Sequence, residues 1–285
     1  MLNCARWSVF SSLVHQAISE TMLDPTSSIT GRHVVFKCAP ALAFVLMSAG
    51  CLAAPEEIQV YLDDVTQPGR FGTDLHNNFV ISGSSTRDYE GAIAPRHVYR
   101  FTPEFYYGVN NTLELGLYLL TTTRPGLVSQ YEGEKVRVKY IAPHDEERGS
   151  FWGANLEIGK TSIRVSEAPW NAELKGIYGF RFDRWILAVN SNFDWSLSGQ
   201  VNTPLSLEVD TKLGYKTDAG PQLGIESYNE LGPVRDLGHI NKLSQTLYGV
   251  IDTQLGQFDL NAGIGRGLTS VSDRWVFKFI LGIHY

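Results

Sequence analysis

Charged side chains recur at every second position in two stretches of this chain, a spacing that could serve chemistry. Lys135, Arg137 and Lys139 alternate with Val136, Val138 and Tyr140, and Glu208, Asp210 and Lys212 alternate with Val209, Thr211 and Leu213. Successive side chains of an extended strand point to opposite faces, so each stretch gathers its charges on one face. Lys175, Arg181, Asp194, Glu226, Glu230, Asp252, Asp259 and Lys278 fall on the same polar phase of their own segments. If that face encloses a passage, a basic side opposite an acidic one sets up a transverse field that orients polar or zwitterionic solutes. If the side chains meet, the same charges pair and fill the interior. The alternation allows both.

Covalent chemistry has less support. Barrel hydrolases that act on lipid pair a histidine with a serine two positions on. Here His76 is followed by Asn77-Asn78, His144 by Asp145-Glu146 and His239 by Ile240-Asn241. The Asp145-Glu146-Glu147 run reads as a solvated turn, and Asp63-Asp64 has no partner histidine nearby. Gly263-Ile264-Gly265-Arg266-Gly267 carries the glycines of a phosphate loop, but no helical pattern follows, so these glycines are expected to relieve crowding inside a sheet. No catalytic residue, metal ligand set or cofactor is expected. A lipid-modifying enzyme ranks third among the functional readings.

The elements that must carry these residues are strands. The last eleven residues place Trp275, Phe277, Phe279, Leu281, Ile283 and Tyr285 on one face and Val276, Lys278, Ile280, Gly282 and His284 on the other. An apolar face closed by a ring at each end suits a membrane-barrel strand turned to lipid. From Thr73 onward the chain divides into about twelve such segments of roughly ten residues, the length a tilted membrane strand needs. Their spans are 73–83, 97–108, 112–122, 134–142, 151–162, 172–182, 185–198, 204–216, 221–231, 245–254, 258–268 and 274–285. Connections after even segments are mostly short, while those after odd segments include long loops near 84–96, 123–133 and 232–244. Tight periplasmic turns and longer extracellular loops alternate in this way. Trp185 and Trp195 share a face ten positions apart, about 34 Å of strand. Tilted by about 40°, that projects to roughly 26 Å, close to the roughly 25 Å apolar band of such barrels. Trp275 and Tyr285 repeat the interval and, with Tyr215, complete a predicted aromatic girdle. The predicted fold is all-β, a transmembrane antiparallel up-and-down barrel over residues 73–285.

With 285 residues, 43% hydrophobic, and 27 glycines, the composition suits one large all-β unit and is too polar for a helical membrane protein. A net charge of −6 without a dense Lys/Arg run disfavours nucleic acid as a partner. Cys4, Cys38 and Cys51 all precede the predicted barrel, which therefore has no disulfide or thiolate site. Basic Arg32, His33 and Lys37, an apolar run from Ala39 to Leu46 and small residues over Ala49–Ala54 have the three-part build of a secretory signal. Cleavage is expected after Ala53. Acylation at Cys51 fits less well, because Ser48 stands where a branched apolar residue is wanted. Residues 1–53 are read as an upstream extension plus signal peptide, and 54–72 as a periplasmic lead-in or small plug.

Four stretches carry a resemblance. They are Ile58-Gln59-Val60-Tyr61-Leu62-Asp63; Thr102-Pro103-Glu104-Phe105 followed by Leu113-Glu114-Leu115-Gly116-Leu117-Tyr118; Phe193-Asp194-Trp195-Ser196-Leu197; and Gly263 to Thr269 before Asp273-Arg274-Trp275. Together they resemble a family of Gram-negative outer-membrane barrels similar to proteins named for the MetA pathway of phenol degradation. The resemblance implies an outer-membrane channel or transporter, sometimes linked with hydrophobic or aromatic compounds, and identifies no ligand. The expected partners are outer-membrane lipid, a small solute and, through the aromatic last strand, the barrel-assembly machinery. The leading expectation is a passive channel with a charged lumen. The alternative is a closed structural or adhesion barrel whose outer loops bind a partner.

Overall fold

The computed structural model describes residues 57–198, 204–238 and 242–285; the predicted extension and signal peptide lie outside them. Twelve strands follow in order: β1 (Phe71–Ser82), β2 (Tyr99–Asn110), β3 (Leu113–Thr123), β4 (Gln130–Ile141), β5 (Gly149–Thr161), β6 (Trp170–Phe182), β7 (Trp185–Ser198), β8 (Ser206–Lys216), β9 (Gln222–Pro233), β10 (Gln245–Leu255), β11 (Phe258–Gly267) and β12 (Trp275–His284). Each pairs antiparallel with the next, and β1 closes on β12 from Gly72↔His284 to Ser82↔Trp275. Closure satisfies the backbone groups that an open edge would expose.

The alternation read from the sequence sets which side chains face out. Leu117, Val136, Leu156, Leu174, Leu187, Leu213, Ile225, Leu247 and Ile264 are all exposed on the outer wall. An apolar surface continuous around a barrel is far larger than a water-soluble protein tolerates and suits hydrocarbon. Among the described residues no helix is long and apolar enough to cross a membrane. At the short-turn rim Trp185 packs on Tyr215 with ring centroids 4.8 Å apart, and Tyr285 is exposed. Toward the long-loop rim the Arg266 guanidinium sits 5.0 Å over the Trp275 ring.

β4 begins at Gln130, four positions before the predicted start at 134. The cause is a bulge: Leu120 pairs with Gly133 but Thr121 with Tyr131, so Glu132 is the extra residue. Beyond it the phase inverts, Glu132 is buried and Tyr131 exposed, which breaks the alternation that marks a strand. In β11, a Cβ at Gly265 would lie 2.4 Å from the Tyr248 ring, so the glycine there makes room inside the barrel as expected.

Candidate functional site

Residues 57–70 enter the barrel. This segment, the strap, alternates Ile58, Val60 and Leu62 with Gln59, Tyr61 and Asp63. Ile58, Val60 and Tyr61 pack in one buried cluster with the inward Val80, Ile186, Ala188, Val250 and Val276. An extended segment in a lumen has no neighbouring strand for its backbone, so wall side chains must satisfy it. Asn190 of β7 does so in both directions, accepting the Tyr61 N–H at 2.6 Å and donating to the Tyr61 carbonyl at 3.0 Å. Lys278 of β12 donates to the Ile58 carbonyl at 2.9 Å. The Tyr61 and Tyr118 hydroxyls meet at 2.6 Å, and the Thr66 N–H and hydroxyl donate to Glu114 at 2.8 and 2.5 Å. At the rim the strap passes Gly108, whose own N–H donates to the Arg70 carbonyl at 3.0 Å. A Cβ there would stand 2.3 Å from the Thr66 and Gln67 carbonyl oxygens, so only glycine admits the strap.

The predicted lining residues face inward, but as pairs. Arg137 donates to Glu104 of β2 and, at 2.7 Å, to Glu114 of β3. Lys139 lies 3.0 Å from Glu114 and 3.4 Å from Asp64, and Lys135 3.9 Å from Glu157. Lys175 stands 3.3 Å from Glu173, and Asp210 accepts from Asn192 at 2.7 Å. Lys212 bridges Glu226 and Asp252 at 3.0 and 2.9 Å, and Lys278 reaches Glu226 at 2.5 Å. Asp259 meets His284 at the short-turn rim, 2.7 Å away. Glu208 lies among the like charges of Asp210, Glu230 and Asp194. Of the two arrangements the alternation allows, pairing holds for Arg137, Lys139, Lys175, Lys212 and Lys278, because strands about 4.8 Å apart bring cross-strand side chains closer to each other than to the far wall; the carboxylates around Glu208 gather as like charges instead.

One correction concerns Asp63, which does have a histidine partner. His144, in the β4–β5 turn, places Nε2 2.9 Å from Asp63 Oδ2 and Nδ1 2.9 Å from the Ala142 carbonyl oxygen. Both partners only accept, so both ring nitrogens carry protons. Arg181 grips the other Asp63 oxygen and shares Oδ2 at 3.0 Å. With both nitrogens engaged, this dyad has no site left to accept a proton from a nucleophile. Burial opposes the His144 charge, yet the Ala142 carbonyl and the Asp63 carboxylate outweigh it and hold its pKa above 6.5. Burial alone would raise Asp63, but Arg181 and then His144 overcome it and hold the pKa below 3.8. The Asp63 contribution is complete above 3.8 and fades as pH falls through its lowered value; that of His144 is complete below 6.5 and fades as pH rises through its raised value. The melting temperature of the parent minus that of His144→Gln should therefore be largest between these limits and shrink on the alkaline side. A pH-independent difference would show that the contact carries no charge.

Below the strap lies a cavity of about 910 Å³, lined in part by Tyr106, Glu114, Lys139, Lys212, Glu226 and Asp252 and reaching the rim residues Gly220 and Tyr285. Sequence reading missed Glu104, Glu114, Tyr61 and Asn190 as site residues. Glu104 and Glu114 gave one signal, a carboxylate between apolar neighbours; Tyr61 and Asn190 gave none.

No protein-family model matches the chain, and no curated protein matches it in sequence. Among solved structures it is similar to CdiB from Acinetobacter baumannii, at 12% identity over 75% of this chain and 47% of that one, with a TM-score of 0.37. The chain spans about half the length of CdiB. It is also similar to mutants of the Rh. blastica porin, at 8% and 10% identity over 76% of this chain and 99% of the porin, with TM-scores of 0.28 and 0.29. These likenesses are distant, and the barrel rests on its own strand pairing.

Proposed function

We propose that this chain is a bacterial outer-membrane channel for small solutes, held shut at mid-height by its own strap. The observation that carries this reading is the way the strap is held. Inside the lumen the strap is bound by single side chains, Asn190, Lys278 and Glu114; its backbone bonds to β2 are at the rim, where Gly69 and Arg70 meet Gly108, and it lines a cavity that reaches that rim. A segment held this way can leave without unpairing any wall strand. The apolar exterior and the ring-bracketed last strand support insertion into outer-membrane lipid and delivery by the barrel-assembly machinery. Lysines and carboxylates around the cavity suit small polar solutes; the aromatic compounds implied by the family resemblance belong in the same test.

The deciding experiment compares planar-bilayer recordings and liposome uptake for the intact chain and for a chain lacking residues 57–66. The intact protein should rest at a low conductance with brief openings, and the strapless one should conduct steadily and admit small solutes. A correctly inserted strapless barrel that passes neither ions nor solutes rules out the channel and leaves the closed structural barrel, a reading favoured by the short-range pairing of Arg137 and Lys212.

A further inference from the structure

We propose that Glu57, His76 and Glu104 form a binding site for a first-row divalent metal ion, with Zn²⁺ the best match, which ties the inner end of the strap to the barrel wall. Glu57 belongs to the strap, His76 to β1 and Glu104 to β2. One ligand atom from each lies within 4.8 Å of the other two. The strand pairing makes this juxtaposition: His76 pairs with Thr102 and Asp74 with Glu104, so His76 and Glu104 are inward diagonal neighbours.

Two further observations point to a cation. His76 is 1% exposed, yet its Nδ1 has no hydrogen-bond partner, and the buried Oε1 of Glu57 has none either. Buried polar atoms are nearly always satisfied, and an orphan imidazole nitrogen and an orphan carboxylate oxygen in one cluster make a donor set that a cation would complete. The other ring nitrogen, Nε2, lies 3.2 Å from Glu104 Oε2, so with the ion on Nδ1 Glu104 stands behind the ring as the carboxylate partner that a metal-bound imidazole normally has. The local charges agree. His76 is faced by Glu57, Glu104 and Asp74, while the nearby Arg137 is already shared between Glu104 Oε1 and Glu114. Negative charge is in excess, and Glu104 Oε2 is not used by Arg137. An imidazole and a carboxylate as direct ligands, with a second carboxylate behind the ring, suit zinc and its first-row neighbours; magnesium and calcium favour all-oxygen shells. Two protein ligands leave further coordination positions to water.

The test uses the full chain purified in detergent, stripped with chelator and titrated calorimetrically with Zn²⁺, with Mg²⁺ and Ca²⁺ as comparators. One saturable Zn²⁺ site per chain is expected, together with a Zn²⁺-dependent rise in melting temperature. Losing an outer partner of a metal site typically weakens binding roughly 10–100-fold, so Glu57→Gln and His76→Gln should each weaken it by at least about tenfold. Glu57→Gln keeps the side chain's shape and leaves no charge unpaired, which protects the fold. His284→Gln, at the rim, should leave binding unchanged. Absence of Zn²⁺ binding overturns the proposal, as does binding that survives Glu57→Gln or disappears with His284→Gln. None of these readouts depends on solute flux, so this site and the channel reading stand or fall separately.

Discussion

Arg137→Met should lower the unfolding free energy of the refolded barrel by about 3–5 kcal/mol, the usual cost of breaking a buried ion pair by removing one partner. Arg137 is the cation common to Glu104 and Glu114, and all three side chains are almost wholly buried. Methionine nearly preserves the volume, so little of the loss is a cavity. What remains is two carboxylates in a water-poor lumen, with Lys139, 3.0 Å from Glu114, as partial compensation. The guanidinium also lies 5.7 Å from the Tyr61 ring centroid and 5.9 Å from that of Tyr118, so its removal weakens the strap seat. Urea titration in detergent micelles would measure the change. Adding Glu104→Gln to Arg137→Met should recover a large part of it, since a neutral amide needs no counter-charge. A single variant that costs less than about 1 kcal/mol would mean that water already screens the pair.

How far these partners were legible in the sequence follows from the physics of strands. A period of two is local, so alternating segments such as Trp185 to Ser198 and Trp275 to His284 declare both their extent and their inward face. Pairing between charges is not local. Glu104 and Glu114 each stand alone among apolar neighbours, and only the register of β2, β3 and β4 brings them to Arg137. Asp63 and His144 are 81 positions apart and meet only because the strap and the β4–β5 turn share a rim. The Gln130 end of β4 was hidden because the bulge at Glu132 inverts the phase on which the reading depends. The destination of the strap was hidden for a related reason. Ile58-Gln59-Val60-Tyr61-Leu62 is patterned like a strand, but what receives it is a few single side chains, and the backbone of Tyr61 is met by one amide, Asn190, in a β7 that reads as an ordinary wall segment.

That amide makes Asn190→Leu the point substitution expected to open the channel most. Asn190 serves Tyr61 as a neighbouring strand would, taking its N–H and supplying its carbonyl. Leucine has nearly the same shape and sits beside Ile186 and Ala188, which already belong to the buried cluster, so the wall should tolerate it. The strap-bound state alone suffers: two hydrogen bonds are lost, and a backbone donor and acceptor are stranded against an apolar side chain, each costing about 1–3 kcal/mol. In the released state water satisfies the same groups. A differential of about 3 kcal/mol corresponds to more than a hundredfold change in the released-to-bound ratio, at about tenfold per 1.4 kcal/mol. Single-channel recordings should show the conducting fraction rising accordingly, toward the steady conductance of the strapless chain. Tyr61→Phe removes only the hydroxyl contact with Tyr118 and should change that fraction far less. If Asn190→Leu gates like the parent while the strapless barrel conducts, the hold on the strap lies elsewhere, at Lys278 and the Asp63 latch, and the clamp at Tyr61 serves only to align it.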